Sequence, residues 1–431
     1  MRASLGRQRW RTLVRMRNFL PPRTTLTALS LLLMIAASPA VAQAPSSSPP
    51  DSPAIAAPSP TQAAPQVWTR KIDALVEGRG ISVAIGSQGS FLYRFKTSTR
   101  RAPASNEKLL LSMALLDELG PDHVIRTSAA AEDFSDGVVR GDLWLIGGGD
   151  PEVTGARIRD LARELQRTGL TRVEGSVLGS ISVFKHDWWA PGWKSYFPSQ
   201  EVALPSALAF NRNTAGGRHI SDPEARAATS LTRALRKKGV AVAGKPGAGR
   251  APAGLPEIAG VDSSPLIGLL RRMNVPSDNW YAETLGKLLG AQVLGRPGTI
   301  SKGARAIDQF TEEIGAPSIR PNDSSGLSYD DRITAGDMLR SIWFCETQPW
   351  IADLRRALPT AGQGTLSDRL KGVAVRAKTG TLTGISALSG WVRSEKSRRW
   401  IGFSIVSRGM SKTTASHIED RIVTIIANRA A

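Results

Sequence analysis

An α+β fold, an antiparallel sheet flanked by helices and interrupted by an inserted domain, is predicted by three observations. Two strand-like runs near the start of the folded sequence, Ile81–Ile85 and Phe91–Phe95, are answered by three near its end, Val373–Ala377, Ala387–Val392 and Trp400–Val406. Between the two groups, Asn106–Leu119 is apolar on nearly every face (Leu109, Leu110, Leu111, Met113, Ala114, Leu115, Leu116, Leu119) and stops at Gly120-Pro121, the pattern of a central helix buried all round. From Pro121 to Val261 the periodicity is less regular. That stretch holds a strand-like Leu143–Ile146, helices near Arg157–Arg167 and Glu224–Lys238, and a strand around Val173–Val183. It reads as an accessory domain over residues 121–261, inserted between the two parts of a main domain, 67–120 and 262–431.

The chain has 431 residues, of which 41% are hydrophobic, enough for a packed core with an insertion. Its first 42 residues carry seven arginines (Arg2, Arg7, Arg9, Arg11, Arg15, Arg17, Arg23) and no acid. An apolar run, Leu26–Ala37, and the small-x-small sequence Ala40-Val41-Ala42 follow, so residues 1–42 are expected to be a signal peptide cleaved before Gln43. An uncleaved anchor is the alternative. Residues 43–66, almost wholly Ala, Pro, Ser and Gln, cannot bury enough surface to offset ordering entropy and are expected to form a disordered tether. A short helix through Val67, Ile72, Leu75 and Val76 should open the folded part, and an amphipathic helix, Ser416–Ala430, should close it.

Removing the seven arginines from the formal net charge of +19 leaves +12, a balance suited to a polyanionic neighbourhood. An exported chain meets anionic wall polymers and headgroups there, and no nucleic acid is expected as partner. A compositional bias of the host would give the same charge. The single cysteine, Cys345, cannot form an internal disulfide, so the fold must rest on its core. The four histidines, His123, His186, His219 and His417, show no ligand spacing, and no metal or other cofactor is expected.

Ser105-Asn106-Glu107-Lys108 sets a hydroxyl and an amine three residues apart at the start of the apolar helix, on one face of its first turn. A serine needs an adjacent base to act as nucleophile, and a lysine serves only if burial or a neighbouring cation lowers its pKa. The helix N-terminus adds partial positive charge and free N–H groups beside Ser105. Alone, such a pair is equally a helix cap and a solvated charge. Two further motifs follow in the chain: Ser277-Asp278-Asn279, and Lys378-Thr379-Gly380 after the run Val373–Ala377. Each by itself also has a plain structural reading, a capping turn for the first and a strand end with its turn glycine for the second.

The three motifs in this order are the signature of β-lactamases and penicillin-binding proteins. From about Val67 to the C-terminus the chain resembles the low-molecular-mass class C penicillin-binding proteins, the D-Ala-D-Ala carboxypeptidase and endopeptidase family of the penicillin-binding protein 4 type. Further elements carry the resemblance: Pro103-Ala104-Ser105, Gly147-Gly148-Gly149-Asp150-Pro151, Ala190-Pro191-Gly192-Trp193, Asn211-Arg212-Asn213, Asp323-Ser324-Ser325-Gly326-Leu327-Ser328 and Leu358-Pro359-Thr360-Ala361-Gly362. Ser277 follows Ser105 by 172 residues, room for the insertion such proteins carry and a compact β-lactamase lacks. The resemblance implies a β-lactamase/transpeptidase-like main domain. It makes Ser105 the acylated nucleophile, Lys108 its general base and Ser277 a proton relay, with Asn279 holding a substrate amide and orienting Lys108. Lys378 and Thr379 would bind the terminal carboxylate. The oxyanion hole would use the N–H groups of Ser105 and Thr381, with Gly380 letting the strand edge come close. Peptidoglycan stem peptides are the implied substrates, β-lactam antibiotics the acylating inhibitors, and an exported, periplasmic or wall-side location without a transmembrane anchor after cleavage is implied too.

Three features depart from that pattern. The chain passes quickly from Asn213 to the helical Glu224–Lys238, so the insertion looks shortened; Tyr329 stands where relatives that read a diaminopimelate side chain often carry an arginine; and Lys194-Ser195-Tyr196-Phe197 lacks an acid expected after Pro-Gly-Trp. A β-lactamase is the nearest rival, with Glu313 at about the position of a deacylating glutamate, but Ile314-Gly315-Ala316 does not continue as expected there. A non-catalytic wall-binding protein of the same fold would normally have lost Ser105, Lys108 or Lys378, and all three are present. Deleting residues 1–42 is expected to leave the protein in the cytoplasm, as cell fractionation would show; recovery of the deleted form from the wall compartment would refute the signal.

Overall fold

The computed structural model describes residues 67–429, so the segments expected to be a signal peptide (1–42) and a tether (43–66), and Ala430, lie outside the described residues. The first strands and the last strands join in one five-stranded antiparallel sheet. Helix α1 (Val67–Val76) leads into β1 (Ile81–Ser87) and β2 (Ser90–Phe95), and a short 3-10 turn, Ala104–Asn106, runs directly into α2 (Glu107–Leu119). The intervening part of the chain forms β3 (Arg126–Ala130), β4 (Asp133–Ser135), β5 (Val138–Arg140), β6 (Leu143–Gly147), α3 (Gly155–Arg167), β7 (Arg172–Val173) and β8 (Val177–Ser180). It continues with α4 (Phe197–Gln200), β9 (Thr214–Ala215), β10 (Arg218–His219), α5 (Pro223–Lys237), β11 (Ala241–Val242), β12 (Gly247–Gly249) and β13 (Glu257–Asp262). Helices α6 (Leu266–Asn274), α7 (Asn279–Leu294), α8 (Ile300–Glu313), α9 (Ala335–Glu346) and α10 (Ile351–Ala357) precede β14 (Val375–Leu382), β15 (Ile385–Arg393), β16 (Trp400–Arg408) and α11 (Lys412–Arg429).

In the main sheet the order is β14-β15-β16-β1-β2, which leaves β14 at an edge. Both faces are covered. Leu388, Val392, Phe403 and Ile405 pack with Ile72 of α1 and Ile422 and Ile426 of α11, while Ala387, Trp391 and Val406 face the other way, into the core built on α2 and α7. Covering on both sides explains why β15 and β16 read as continuous apolar runs, without the alternation of a half-exposed sheet. Helix α2 is buried from Glu107 to Leu116, as its all-round apolar pattern requires.

Residues 126–262 build two further sheets, β12-β8-β6-β3-β13 and β11-β7-β5-β4, and a small hairpin, β9-β10. The single strand expected around Val173–Val183 is two strands in different sheets. The chain changes sheet at Gly175, where a Cβ would lie 2.5 Å from the Gly141 carbonyl oxygen, so only glycine fits the crossing. A second boundary also moves. The Lys378-Thr379-Gly380 motif sits inside β14, not beyond its end, because pairing with β15 continues to Leu382 opposite Ile385. The hairpin then turns at Gly384, whose φ of 73° suits a residue without a Cβ.

Candidate active site

Ser105 lies in the 3-10 turn that feeds α2, and Lys108 is the second residue of that helix. Ala104 is held at φ 47°, the left-handed region, which sets the turn and the direction of Ser105. Lys108 is 0% exposed. Its Nζ lies 2.9 Å from Ser105 Oγ, 2.8 Å from Asn279 Oδ1 and 2.6 Å from the Ser325 carbonyl oxygen. Burial pushes the ammonium down to about 8, against the opposing pull of Asp323, Glu283, Asp278 and Glu107. At pH 7 about one lysine in ten is then neutral. A neutral amine has two N–H groups for Asn279 and Ser325 and one lone pair, which faces the Ser105 hydroxyl.

Ser277 ends the loop before α7, at φ 64°. The buried Lys378 donates to Ser277 Oγ at 2.8 Å and to the Thr379 carbonyl at 2.9 Å. Burial first, and then the charges of Lys108 and Lys412, hold its ammonium well below the usual lysine range. Asp278 caps α7 by accepting from the Tyr281 N–H at 2.9 Å and pairs with Arg212, so the capping reading and the site reading of Ser277-Asp278-Asn279 hold together. Asn279 uses both ends of its amide. Oδ1 accepts from Lys108, and Nδ2 lies 3.4 Å from Glu201 Oε2.

Strand β14 approaches the nucleophile turn closely. Asn106 Nδ2 donates to the Lys378 carbonyl at 3.1 Å, and a Cβ on Gly380 would come within 2.6 Å of the Pro103 carbonyl oxygen. Glycine at 380 is therefore required by the turn that carries Ser105, a tighter constraint than approach to a substrate. The Ala377 N–H leaves the ladder to donate to Pro359 at 3.1 Å, away from β15. By the two-residue period of a strand, the N–H groups of Thr379 and Thr381 face the same free edge.

The motif residues meet at a groove of about 450 Å³ lined by Ser105, Ser277, Asn279, Thr379 and Thr381. Lys108 and Lys378 are buried beneath it. A separate cleft of about 430 Å³, on α5 beside Arg233 and Lys237, contains none of these residues. Sequence reasoning missed several lining groups. Glu201 supplies an acid beyond the four residues after Pro-Gly-Trp, and Lys412, at the start of α11, donates to Thr381 Oγ1 at 2.5 Å. Thr365 accepts from Thr379 Oγ1 at 2.7 Å. No local pattern marks these three; only the packing of distant segments brings them in. Tyr329 lines the groove, its hydroxyl accepting from the Thr383 N–H at 3.3 Å, with Lys194 Nζ 5.1 Å from its ring centre. Glu313 is exposed at the end of α8 and does not line the groove.

A serine and a buried lysine at the start of a central helix, with Ser277-Asp278-Asn279 on one side and a Lys-Thr-Gly sheet edge on the other, are the arrangement of a serine hydrolase of the penicillin-recognising class. The model of the D-Ala-D-Ala carboxypeptidase 3 (S13) family matches residues 69–217 and 201–429, and the chain belongs to that peptidase family. It is 27% identical to a D-alanyl-D-alanine carboxypeptidase of Actinomadura sp. (strain R39), over 83% of this chain and 83% of that protein. It is 31% identical to the carboxypeptidase DacB of Mycolicibacterium smegmatis, over 80% of this chain and 79% of that one. Among solved structures, penicillin binding protein 4 of Haemophilus influenzae shares the fold, with a TM-score of 0.72 at 20% identity over 84% of this chain and 99% of its own.

If Lys108 acts as a base it must be neutral, so acylation by a β-lactam should rise with pH and level off above about 8. Lys108→Arg should abolish acylation at every pH, since guanidinium does not deprotonate. Timed labelling with a fluorescent penicillin measures both, and near-normal labelling of the arginine variant would place the base elsewhere.

Proposed function

We propose that the protein is a serine-type D-Ala-D-Ala carboxypeptidase, with DD-endopeptidase action also open to it, that acts on peptidoglycan stem peptides through an acyl-enzyme on Ser105. The observation that carries this reading is the Lys108 amine, dry and downshifted, 2.9 Å from Ser105 Oγ. The Lys108 lone pair takes the Ser105 proton as Oγ attacks the carbonyl of the penultimate D-alanine. Negative charge on that oxygen meets the N–H groups of Ser105 and Thr381 at the sheet edge. Ser277, held by Lys378, gives its hydroxyl proton to the departing amine and is restored by the proton that Lys108 took from Ser105. Lys378 is 0% exposed, so it acts through the Ser277 hydroxyl and the Thr379 carbonyl that it holds, while the Thr379 and Thr381 hydroxyls and Lys412 line the surface the carboxylate reaches. Asn279 orients Lys108 and offers Nδ2 to a substrate carbonyl once Glu201 releases it. Water then frees the acyl group.

Family membership and the relatives named above support this substrate class, and a basic chain with an export-type N-terminus suits a wall-side location. Among the described residues no helix is long and apolar enough to cross a membrane. A penicillin is expected to acylate Ser105, and the related Haemophilus protein is known in complex with a β-lactam. Ser105→Ala should abolish covalent penicillin labelling while leaving thermal unfolding unchanged. Mass analysis of defined muropeptides treated with the mature chain should show D-alanine release from pentapeptides, or splitting of cross-linked dimers; neither product would refute the reading.

Tyr329 stands at the groove where an arginine would form a paired, charge-assisted contact with a side-chain carboxylate. Such a contact contributes about 1.5–3 kcal/mol, or roughly ten- to a hundred-fold in discrimination. The wild type should therefore distinguish weakly between stem peptides with a free and an amidated side-chain carboxylate, and Tyr329→Arg should favour the free form. The ratio of kcat/KM values for the two peptides is the measurement. A strong wild-type preference for the free acid would assign the task to another cation, such as Lys194, whose Nζ lies 5.1 Å from the Tyr329 ring centre.

A further inference from the structure

The side of Lys108 turned away from the groove meets the irregular turn 323–328 through the Ser325 carbonyl, 2.6 Å from Nζ. Two buried carboxyls set the shape of that turn. Glu283 Oε1, on α7, accepts from the N–H groups of Ser324 at 3.0 Å and Ser325 at 2.7 Å. Asp323 Oδ1 accepts from the Gly326 N–H at 2.7 Å, and Oδ2 accepts from the Ser328 N–H at 2.9 Å, from Ser325 Oγ at 3.3 Å and from Trp193 Nε1 at 2.6 Å. Both side chains are 0% exposed. The turn also presses on the nucleophile, since a Cβ on Gly326 would overlap the Ala104 carbonyl.

We propose that Glu283 and Asp323 are positioning residues for the general base: by fixing the Ser325 carbonyl they aim the Lys108 lone pair at Ser105. The proposal rests on Lys108 being that base. A neutral amine is tetrahedral, with two N–H groups and a lone pair. When Asn279 Oδ1 takes one N–H and Ser325 the other, the lone pair is left facing Ser105 Oγ. When the Ser325 carbonyl is free to drift, the amine rotates about its terminal bond and the lone pair faces Ser105 only part of the time, which lowers the rate without touching the nucleophile.

The electrostatics of Glu283 fit the same arrangement. It is faced by Asp323 from the turn, by Lys108 and Glu107 from α2 and by Lys287 from its own helix. Burial pushes its carboxyl up to about 8, and its Oε2 has no hydrogen-bond partner among the described residues. Glu283 is one of the carboxyls that pull the Lys108 ammonium up against its burial, so its charge acts on the same amine whose direction the turn sets. Ionising Glu283 favours the ammonium form of Lys108, the form that cannot act as base.

Two substitutions in the full chain test this. Glu283→Gln keeps an acceptor for both amides and removes the charge; Glu283→Ala removes both. The readout is the second-order rate of acylation by a fluorescent penicillin across pH, with thermal unfolding as the check on folding. Glu283→Gln should keep the high-pH plateau within about threefold of wild type, while its rise with pH moves to lower pH by about half a unit or more. Glu283→Ala, where folded, should lose about tenfold or more of the plateau. A purely structural glutamate would leave the pH of the rise where it is, and an unmoved rise in Glu283→Gln overturns the proposal even if the alanine variant does not fold. A folded Glu283→Ala protein with a wild-type plateau overturns it too. Acylation persisting in Lys108→Arg would instead overturn the assignment of the base, so the two failures are distinct.

Discussion

The site depends on one side chain brought out of water. Lys108 is buried with three acceptors around its amine, and desolvation is what lowers it far enough to hold a lone pair near neutral pH. The opposing carboxyls limit the effect. Burial raises Glu107 well above the usual carboxyl range and Glu283 to about 8, so these two groups supply less negative charge at neutral pH than their number suggests. A fully ionised cluster would hold Lys108 protonated, and a dry lysine without acceptors would be too costly to bury.

The three motifs are structural couplings as much as reacting groups. Asn106 joins the nucleophile turn to β14 through the Lys378 carbonyl, Asn279 joins α7 to α2 through Lys108, and Lys378 joins β14 to the loop before α7 through Ser277. Each bond spans at least 100 residues of chain, so the site exists only in the folded state. The part of the chain between α2 and α6 is tied in as well: Trp193 donates to Asp323, Arg212 pairs with Asp278, and Glu201 reaches Asn279. A change in that region can therefore reach the motif residues without lying in the groove.

Much of this was legible in the sequence because it is local or strongly periodic. The all-round apolar run after Ser105 reads as a buried helix, the strand runs at the two ends of the folded part read as an antiparallel sheet with flanking helices, and three short motifs in a fixed order pointed to the chemistry and the family. Where reading failed, a non-local contact decided the local structure. Lys378-Thr379-Gly380 looks like a strand end because a glycine commonly marks a turn, but the partner strand β15 carries the ladder on to Leu382. The run Val173–Val183 looks continuous because Val173, Val177, Ile181 and Val183 recur in step with the two-residue period of a strand, and it breaks at Gly175 where Gly141 passes.

By itself the sequence determined the fold class, the identity of the serine, the lysines and the asparagine of the motifs, and the reaction type they imply, since these follow from side-chain chemistry and short-range spacing. Tertiary structure alone decided that Lys108 has three hydrogen-bond partners, that Glu201, Thr365 and Lys412 line the groove, and that Glu283 and Asp323 bond to the turn behind Lys108. The physical reason is that a pKa and a lone-pair direction are set by what surrounds a group in space, and burial gathers those surroundings from segments that the sequence keeps tens to hundreds of residues apart.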